Sequence, residues 1–194
     1  MPKGKTVFIV EGDLERDFLQ DQCDGKSIIR KIPSNGKDVA IETLAKMVGA
    51  ILDAIKRHGD VFVVIDRERR IESSAQIESA LVAELANAGY TGLISVHVAD
   101  RMVENWILAD PAAFVGEEIA VALPLNPDGF SGKGKIKEAF KELRQAYSER
   151  VDGVRLLKKC SPNVLAQSSA SFARLHQRLQ VAGTQCSWLS KQST

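Results

Sequence analysis

The chain has 194 residues, 44% of them hydrophobic and 26% charged, a balance that suits one sizeable globular core rather than a disordered or fibrous protein. No apolar run is long enough for a membrane span. The net charge of +1 hides a polarity: residues 1–129 carry 14 Lys and Arg against 21 Asp and Glu, a net of −7, and residues 130–194 carry 12 against 4, a net of +8.

Val7–Val10 is a continuous apolar run that ends at Glu11, and with Thr6 it reads as a strand buried on both faces. The opening MPKGKTVFIVEGD is therefore read as a strand and not as a signal peptide, because its apolar stretch is short and ends in acid. A helix from Asp13 to Gln22 and a second strand at Ser27–Ile32 follow. Asp38 suits the N-cap of a helix in which Ile41, Leu44, Ala45, Val48, Ile51, Leu52 and Ile55 recur at helical spacing, with Gly59 as its C′ glycine. Val61–Asp66 is the third strand. A helix over Ser73–Ala88 stops at Gly89, Leu93–Ala99 is the fourth strand, and Met102–Leu108 is a short helix before Pro111. This alternation predicts an α/β fold with a mostly parallel sheet and right-handed crossovers.

The character changes after Pro111. PLNPDGFSGKGK is a Pro/Gly-rich loop, Lys135–Arg150 reads as a basic helix, Ala166–Val181 as another, and the final SKQST as a frayed end. Residues 1–115 are thus expected to form the α/β core. Residues 116–194 are expected to form a loop and a basic helical extension packed on it, since so short a piece buries little alone. The three cysteines, Cys23, Cys160 and Cys186, are far apart, odd in number and without a CxxC pair, and are read as free thiols in a reducing cytoplasm. With His58, His97 and His176 equally scattered, no zinc site is expected.

The acids that follow the strands carry the chemistry. In parallel sheets the ligand crevice lies beyond the carboxyl ends of the strands, where Glu11, Asp66 and Glu68 fall. Carboxylates gathered there repel one another unless a cation sits between them, and Mg²⁺ is the usual solution. Glu15, four residues after Glu11, falls in the first helical turn and can lie over the same strand end; alternatively it completes a capping box with Gly12. Asp66 and Glu68 point to one side if strand geometry persists; the alternative is a charged turn in which Arg67, Arg69 and Arg70 neutralise them. Glu104, just past the fourth strand, is either a further ligand or general base, or an ordinary exposed helical position. The GKGK string at 132–135 fits no phosphate-binding loop, because GxxxxGK[ST] needs Ser or Thr after the lysine and a preceding strand.

The order of these acids resembles the TOPRIM domain, and the local text is similar to small stand-alone OLD-like bacterial TOPRIM proteins. The family's VEGxxE is matched by Val10-Glu11-Gly12-Asp13-Leu14-Glu15, and its E-x-W-x-x-A-D by Glu104-Asn105-Trp106-Ile107-Leu108-Ala109-Asp110. Lys158 and the SxSF string Ser169-Ala170-Ser171-Phe172 extend the likeness over most of the chain. The resemblance implies a TOPRIM-like, Rossmann-like sheet and a Mg²⁺- (or Mn²⁺-) dependent endonuclease that hydrolyses phosphodiester bonds. Glu11, Glu15, Asp66 and Glu68 would be metal residues, with Glu11 and Glu104 also acting as acid or base. Lys158 would steady the phosphate. Lys133, Lys135, Lys137, Lys141, Arg144 and Lys159 would hold a nucleic-acid backbone, DNA ahead of RNA. The resemblance alone suggests phage defence and a partner ATPase. One departure is that the family's Asp-x-Asp pair reads Asp66-Arg67-Glu68 here. Two other readings stand beside this one: a catalytically silent TOPRIM fold that partners an ATPase, and a receiver-like module in which Asp66 accepts a phosphoryl group.

Overall fold

The structure, a computed structural model, describes residues 4–23, 25–34, 39–55 and 58–190. Strands β1 (Thr6–Val10), β2 (Ser27–Lys31), β3 (Val61–Asp66) and β4 (Ile94–Ala99) alternate with helices α1 (Asp13–Gln22), α2 (Ile41–Ala54) and α3 (Ser74–Asn87). The chain is α/β: the four strands form one all-parallel sheet in the order β2-β1-β3-β4, flanked by helices. Val7 pairs with Val61 and Val10 with Val64, so β1 and β3 end side by side.

Alternation along the strands builds two apolar layers. Val7, Ile9, Val61, Val63 and Ile65 face α2 and α3, which contribute Leu44, Val48, Leu52, Ile77, Leu81 and Leu85. Phe8, Val10, Phe62 and Val64 face the other way, against Leu14 and Phe18 of α1. That second layer is completed by α4 (Glu104–Leu108), α5 (Gly132–Glu142), α6 (Val154–Lys159), α7 (Pro162–Ser168) and α8 (Ala170–Ala182). They supply Trp106, Ile136, Phe140, Leu157 and Phe172, and Trp188 follows them in the chain. With apolar cover on both faces, the central strands need no polar side chains until they end, which is why they read as unbroken apolar runs. Among the described residues no helix is long and apolar enough to cross a membrane.

The ends of several elements differ from expectation, each for a local reason. α3 does stop at Gly89, which adopts φ +90°. α2 ends at Ala54, however, and Gly59 does not cap it. Gly59 instead lies against Gly4 and donates its N–H to Lys5 O at 2.9 Å, leaving no room for a side chain. The expected helix Lys135–Arg150 stops at Glu142; Arg144 turns left-handed at φ +59°, and a π-type turn at Glu149–Gly153 leads into α6. The expected helix Ala166–Val181 is two helices, broken at Ser169, whose hydroxyl caps α8 by accepting from Phe172 N at 3.2 Å. The N-cap expected at Asp38 and residues 191–194 of the C-terminal tail lie outside the described residues.

The cysteines require a larger correction. Cys23, at the end of α1, and Cys186, in the C-terminal segment, form a disulfide with their Cα atoms 4.3 Å apart. Their separation of 163 residues conceals the pairing from any spacing rule, because only the return of the chain across α1 brings them together. The premise of three free thiols, on which a reducing compartment was inferred, does not hold. Cys160 is buried beneath α6. We expect thiol titration of the denatured, unreduced protein to find one reactive cysteine. A Cys23→Ser/Cys186→Ser variant should lose about 2–5 kcal/mol in urea unfolding. Three titratable thiols would refute the pairing.

Candidate active site

The strand order reverses direction at β1, which has β2 on one side and β3 on the other, so the crevice between the ends of β1 and β3 is the switch point of the sheet. Glu11 sits there with 9% of its surface exposed. Its N–H donates to Val64 O at 3.2 Å, and its Oε2 accepts from the Asp66 N–H at 3.3 Å. Burial raises the pKa of Glu11, with Arg70 opposing the shift. Arg70 is fixed over this edge by donating to Asp66 O at 2.8 Å.

Glu15 and Asp66 are more deeply committed. The Glu15 carboxylate curls back over Gly12, where an added Cβ would stand 2.9 Å from its Cδ. Half of the expected capping box is therefore present, and it delivers Glu15 to the crevice rather than away from it. Burial pushes Glu15 from 4.5 up to about 8; the N–H groups of Glu15 and Gly12 work against this, and the charges of Glu104 and Glu11 add to it. Glu15 Oε1 is buried without a hydrogen-bond partner among the described residues. Asp66 keeps some surface exposure, yet its carboxyl group is crowded by protein. Desolvation, then Glu15, Glu104, Glu11 and Glu68, raise it well above the ordinary aspartate value. Its Oδ1 accepts from Val103 N at 3.0 Å, which ties the β4–α4 turn to the end of β3.

Glu104 opens α4 and is only 5% exposed, so the exposed-helix alternative does not apply. Burial lifts it from 4.5 to about 7, while Lys133 pulls it down and Glu149 and Glu68 push it up. Glu68 reaches the cluster by a different route from the one expected. Strand geometry ends at Asp66, and Glu68 is left-handed at φ +53°, its N–H donating to Arg101 O at 2.8 Å. The alternation rule therefore does not set its direction, although its charge acts on Glu11, Asp66 and Glu104. The structure thus brings Glu11, Glu15, Asp66, Glu68 and Glu104 into one electrostatic cluster.

Apart from Lys133, the predicted basic residues pair elsewhere or face solvent. Lys158 pairs with Asp21 at 2.9 Å, near the far end of α1 and about 9 Å along the helix from Glu15. Lys159 pairs with Glu117 and donates to Val115 O at 2.9 Å. Lys135 holds its ammonium 5.5 Å from the centre of the Phe130 ring. Lys137, Lys141 and Arg144 are exposed and make no ion pair among the described residues.

Lys133, which the resemblance assigns only to holding a nucleic-acid backbone, lies beside the acids, and Tyr147 is a residue of the site that the sequence did not single out. Burial works against the charge on Lys133, but its ion pair with Glu149 and the fields of Glu104 and Glu68 raise its pKa. It gets there because Gly132 abuts α4: Gly132 N donates to Asn105 Oδ1 at 2.8 Å, and a Cβ on Gly132 would lie 2.7 Å from the Glu104 carbonyl carbon. The GKGK string is therefore a docking joint between two helices. Tyr147 buries its hydroxyl, unpartnered among the described residues, and is held protonated by burial and by Glu104, Glu149, Asp152 and Glu15. No motif marks it; the run of acids at 149 and 152 was its only trace.

Among the described residues no three His, Cys, Asp or Glu side chains are gathered so as to hold a metal ion. The chemistry of the donors nevertheless fits a hard divalent cation. All are carboxylate oxygens, burial raises the pKa of Glu11, Glu15, Asp66 and Glu104 with neighbouring carboxylates adding to it, and Glu15 Oε1 is an acceptor left without a donor among the described residues.

Two measurements check this geometry. Glu15 and Glu104 bind protons more tightly folded than unfolded, so their stabilisation is complete below the ordinary glutamate value of 4.5 and is lost as pH rises through about 7 and about 8. The metal-free protein should lose on the order of a few kcal/mol of stability across that window, and Glu15→Gln should flatten the loss; stability that rises with pH there would refute the cluster. Gly132→Ala should cost about 1–3 kcal/mol in denaturant unfolding, because the new methyl group meets the amide oxygen of fully buried Asn105 and, just behind it, the backbone of Glu104 and Asn105. No protein-family model matches the chain, and neither the curated proteins nor the solved structures contain a significant match to it.

Proposed function

We propose that this chain is a metal-dependent phosphodiesterase acting on nucleic acid, built on a TOPRIM-like version of the parallel α/β fold. The observation that carries the reading is the electrostatic coupling of Asp66, at the end of β3, with Glu11 after β1, Glu15 in the first turn of α1, Glu104 at the start of α4 and Glu68, together with a buried oxygen on Glu15 that has no partner among the described residues. A protein does not bury so many like charges for stability, since desolvating each one costs free energy that the others only increase. Clusters of this kind mark functional sites.

Glu11, Glu15 and Asp66 would hold Mg²⁺ or Mn²⁺, with Glu68 at the outer edge. When bound, the ion supplies Lewis acidity at the phosphate and lowers the pKa of water. The chain's own residues do the rest. Glu104, at about 7, is poised to accept or donate a proton near neutral pH. Lys133 faces Glu104 and Glu68 and places a fixed positive charge where a phosphate's negative charge would build up. Tyr147, held protonated by burial and by the field of Glu104, offers a buried hydroxyl donor. Lys133 takes over the phosphate-facing role that the resemblance assigns to Lys158.

The test is cleavage of supercoiled plasmid, single-stranded DNA and single-stranded RNA in Mg²⁺, Mn²⁺ or EDTA. Wild type should cut only with metal, and Asp66→Ala, with its thermal melt retained, should not cut at all. Cleavage that survives Asp66→Ala or EDTA would sink the proposal.

A further inference from the structure

We propose that α5 and the loop before it form a track for a single strand of nucleic acid, with the phosphate backbone along a lysine row on the helix and a base stacked on Phe130. The inference rests on the phosphodiesterase reading above and names the strandedness and path of its substrate.

The row is a matter of helical geometry. Lys133, Lys137 and Lys141 are spaced four residues apart on α5, so each lies about 6 Å beyond the last and about 40° further round. Ile136, Ala139 and Phe140 are buried, which sets the neighbouring side of the helix, next to Lys133, against the core. The row accordingly starts half-buried at Lys133, beside Glu104 and Glu68, and emerges to full exposure at Lys137 and Lys141. The last two make no ion pair among the described residues, and their spacing is comparable to that of successive phosphates on an extended strand. At one end the row meets the acid cluster; at the other it runs into solvent.

Phe130 lies in the loop just before α5. It is 41% exposed, a large ring left partly in water. Its position is fixed. Gly129 N donates to Asp100 O at 3.3 Å, Arg101 donates to Gly129 O at 3.3 Å, and Arg101 O in turn accepts from Glu68 N at 2.8 Å. Arg101 therefore links the residue beside Phe130, through its guanidinium, to an acid of the cluster, through its carbonyl. Lys135 sits over the ring at 5.5 Å, so the ring combines a stacking surface with a cation.

These features select a single strand. Glu11, Glu15 and Glu104 are each less than a tenth exposed, so a phosphodiester must enter a recess to meet them. A flexible strand can bend in; the phosphates of an intact duplex are held on a stiff cylinder. An aromatic ring stacks on a base only if the base is not already stacked within a duplex, and an aromatic beside a basic groove is the usual means of binding single strands without sequence preference.

The test is fluorescence anisotropy in EDTA, so that binding is read without any cleavage, using labelled oligothymidylate of about a dozen nucleotides and a duplex of the same length. Wild type should bind the single strand at least about tenfold tighter than the duplex. Phe130→Ala should weaken single-strand binding on the order of tenfold, and Phe130→Trp should restore it with quenching of the new indole by the stacked base. Lys137→Ala/Lys141→Ala should lower the slope of log affinity against log salt by about 1.4. Equal or tighter binding of duplex, or unchanged affinity in Phe130→Ala, overturns the track. Metal-dependent cutting of duplex alone would overturn the track and leave the phosphodiesterase standing. Single-strand binding without any metal-dependent cutting would do the reverse.

Discussion

Like charges in a low-dielectric crevice repel, and at the carboxyl edge of this sheet that repulsion sets the terms for everything around it. β1 and β3 are covered on both faces, so their first chance to carry a polar group is at their ends, and those ends lie side by side. Glu11 and Asp66 are thereby forced into one another's field, and Glu15 and Glu104 are packed in behind them. What offsets the cost is modest: backbone N–H donors from Asp66 and Val103, the guanidinium of Arg70, and the ammonium of Lys133. The remaining imbalance leaves protons on the carboxyls or a cation among them.

The second half of the chain supports that edge. In the string from Glu104 to Asp110, one residue serves the acids and the others anchor it. Trp106 donates to Ser171 Oγ at 3.0 Å, Ser171 and Ser169 both donate to Asp128 Oδ1, at 2.9 and 2.7 Å, and Asp110 accepts from Ser161 N at 2.6 Å. The loop carrying Asp128, the start of α8 and the short helix α4 are thus one hydrogen-bonded block. Asn105, fully buried, adds α5 to it by holding Asp100 O at 2.7 Å and Gly132 N at 2.8 Å. The position of Glu104 depends on all four segments.

What the sequence revealed follows from how local each signal is. β1, β3 and α1 were legible to the residue, because an unbroken Val/Ile run and its acidic end are local facts. Glu11, Glu15, Asp66 and Glu104 were legible as a set because parallel topology puts strand ends together. The closeness of Lys133 to Glu104 was not, since it arises from the contact of Gly132 with α4, which no periodicity encodes. The path of Glu68 was misjudged because a left-handed turn replaced the strand after Asp66. The disulfide was invisible for the same reason as Lys133: partners 163 residues apart are chosen by the fold. The break at Ser169 could have been read, as a serine three residues before a buried Phe172 N–H is an ordinary cap.

The covering of α1 bears on the order in which the molecule is made. Leu14, Glu15 and Phe18 are synthesised early, yet the groups that close over them come late: Gly153 lies against Leu14, Trp188 meets Phe18 edge-on at 4.9 Å, and Leu157, Phe172 and Cys186 share with Glu15 the wall of a cavity of about 40 Å³. A nascent chain that has already paired its four strands still has these carboxylates in water. Their charges remain hydrated and compatible with a growing sheet until the last helices leave the ribosome. Only then does the crevice become dry, so the most costly electrostatic step of folding is deferred until the packing that compensates for it is complete.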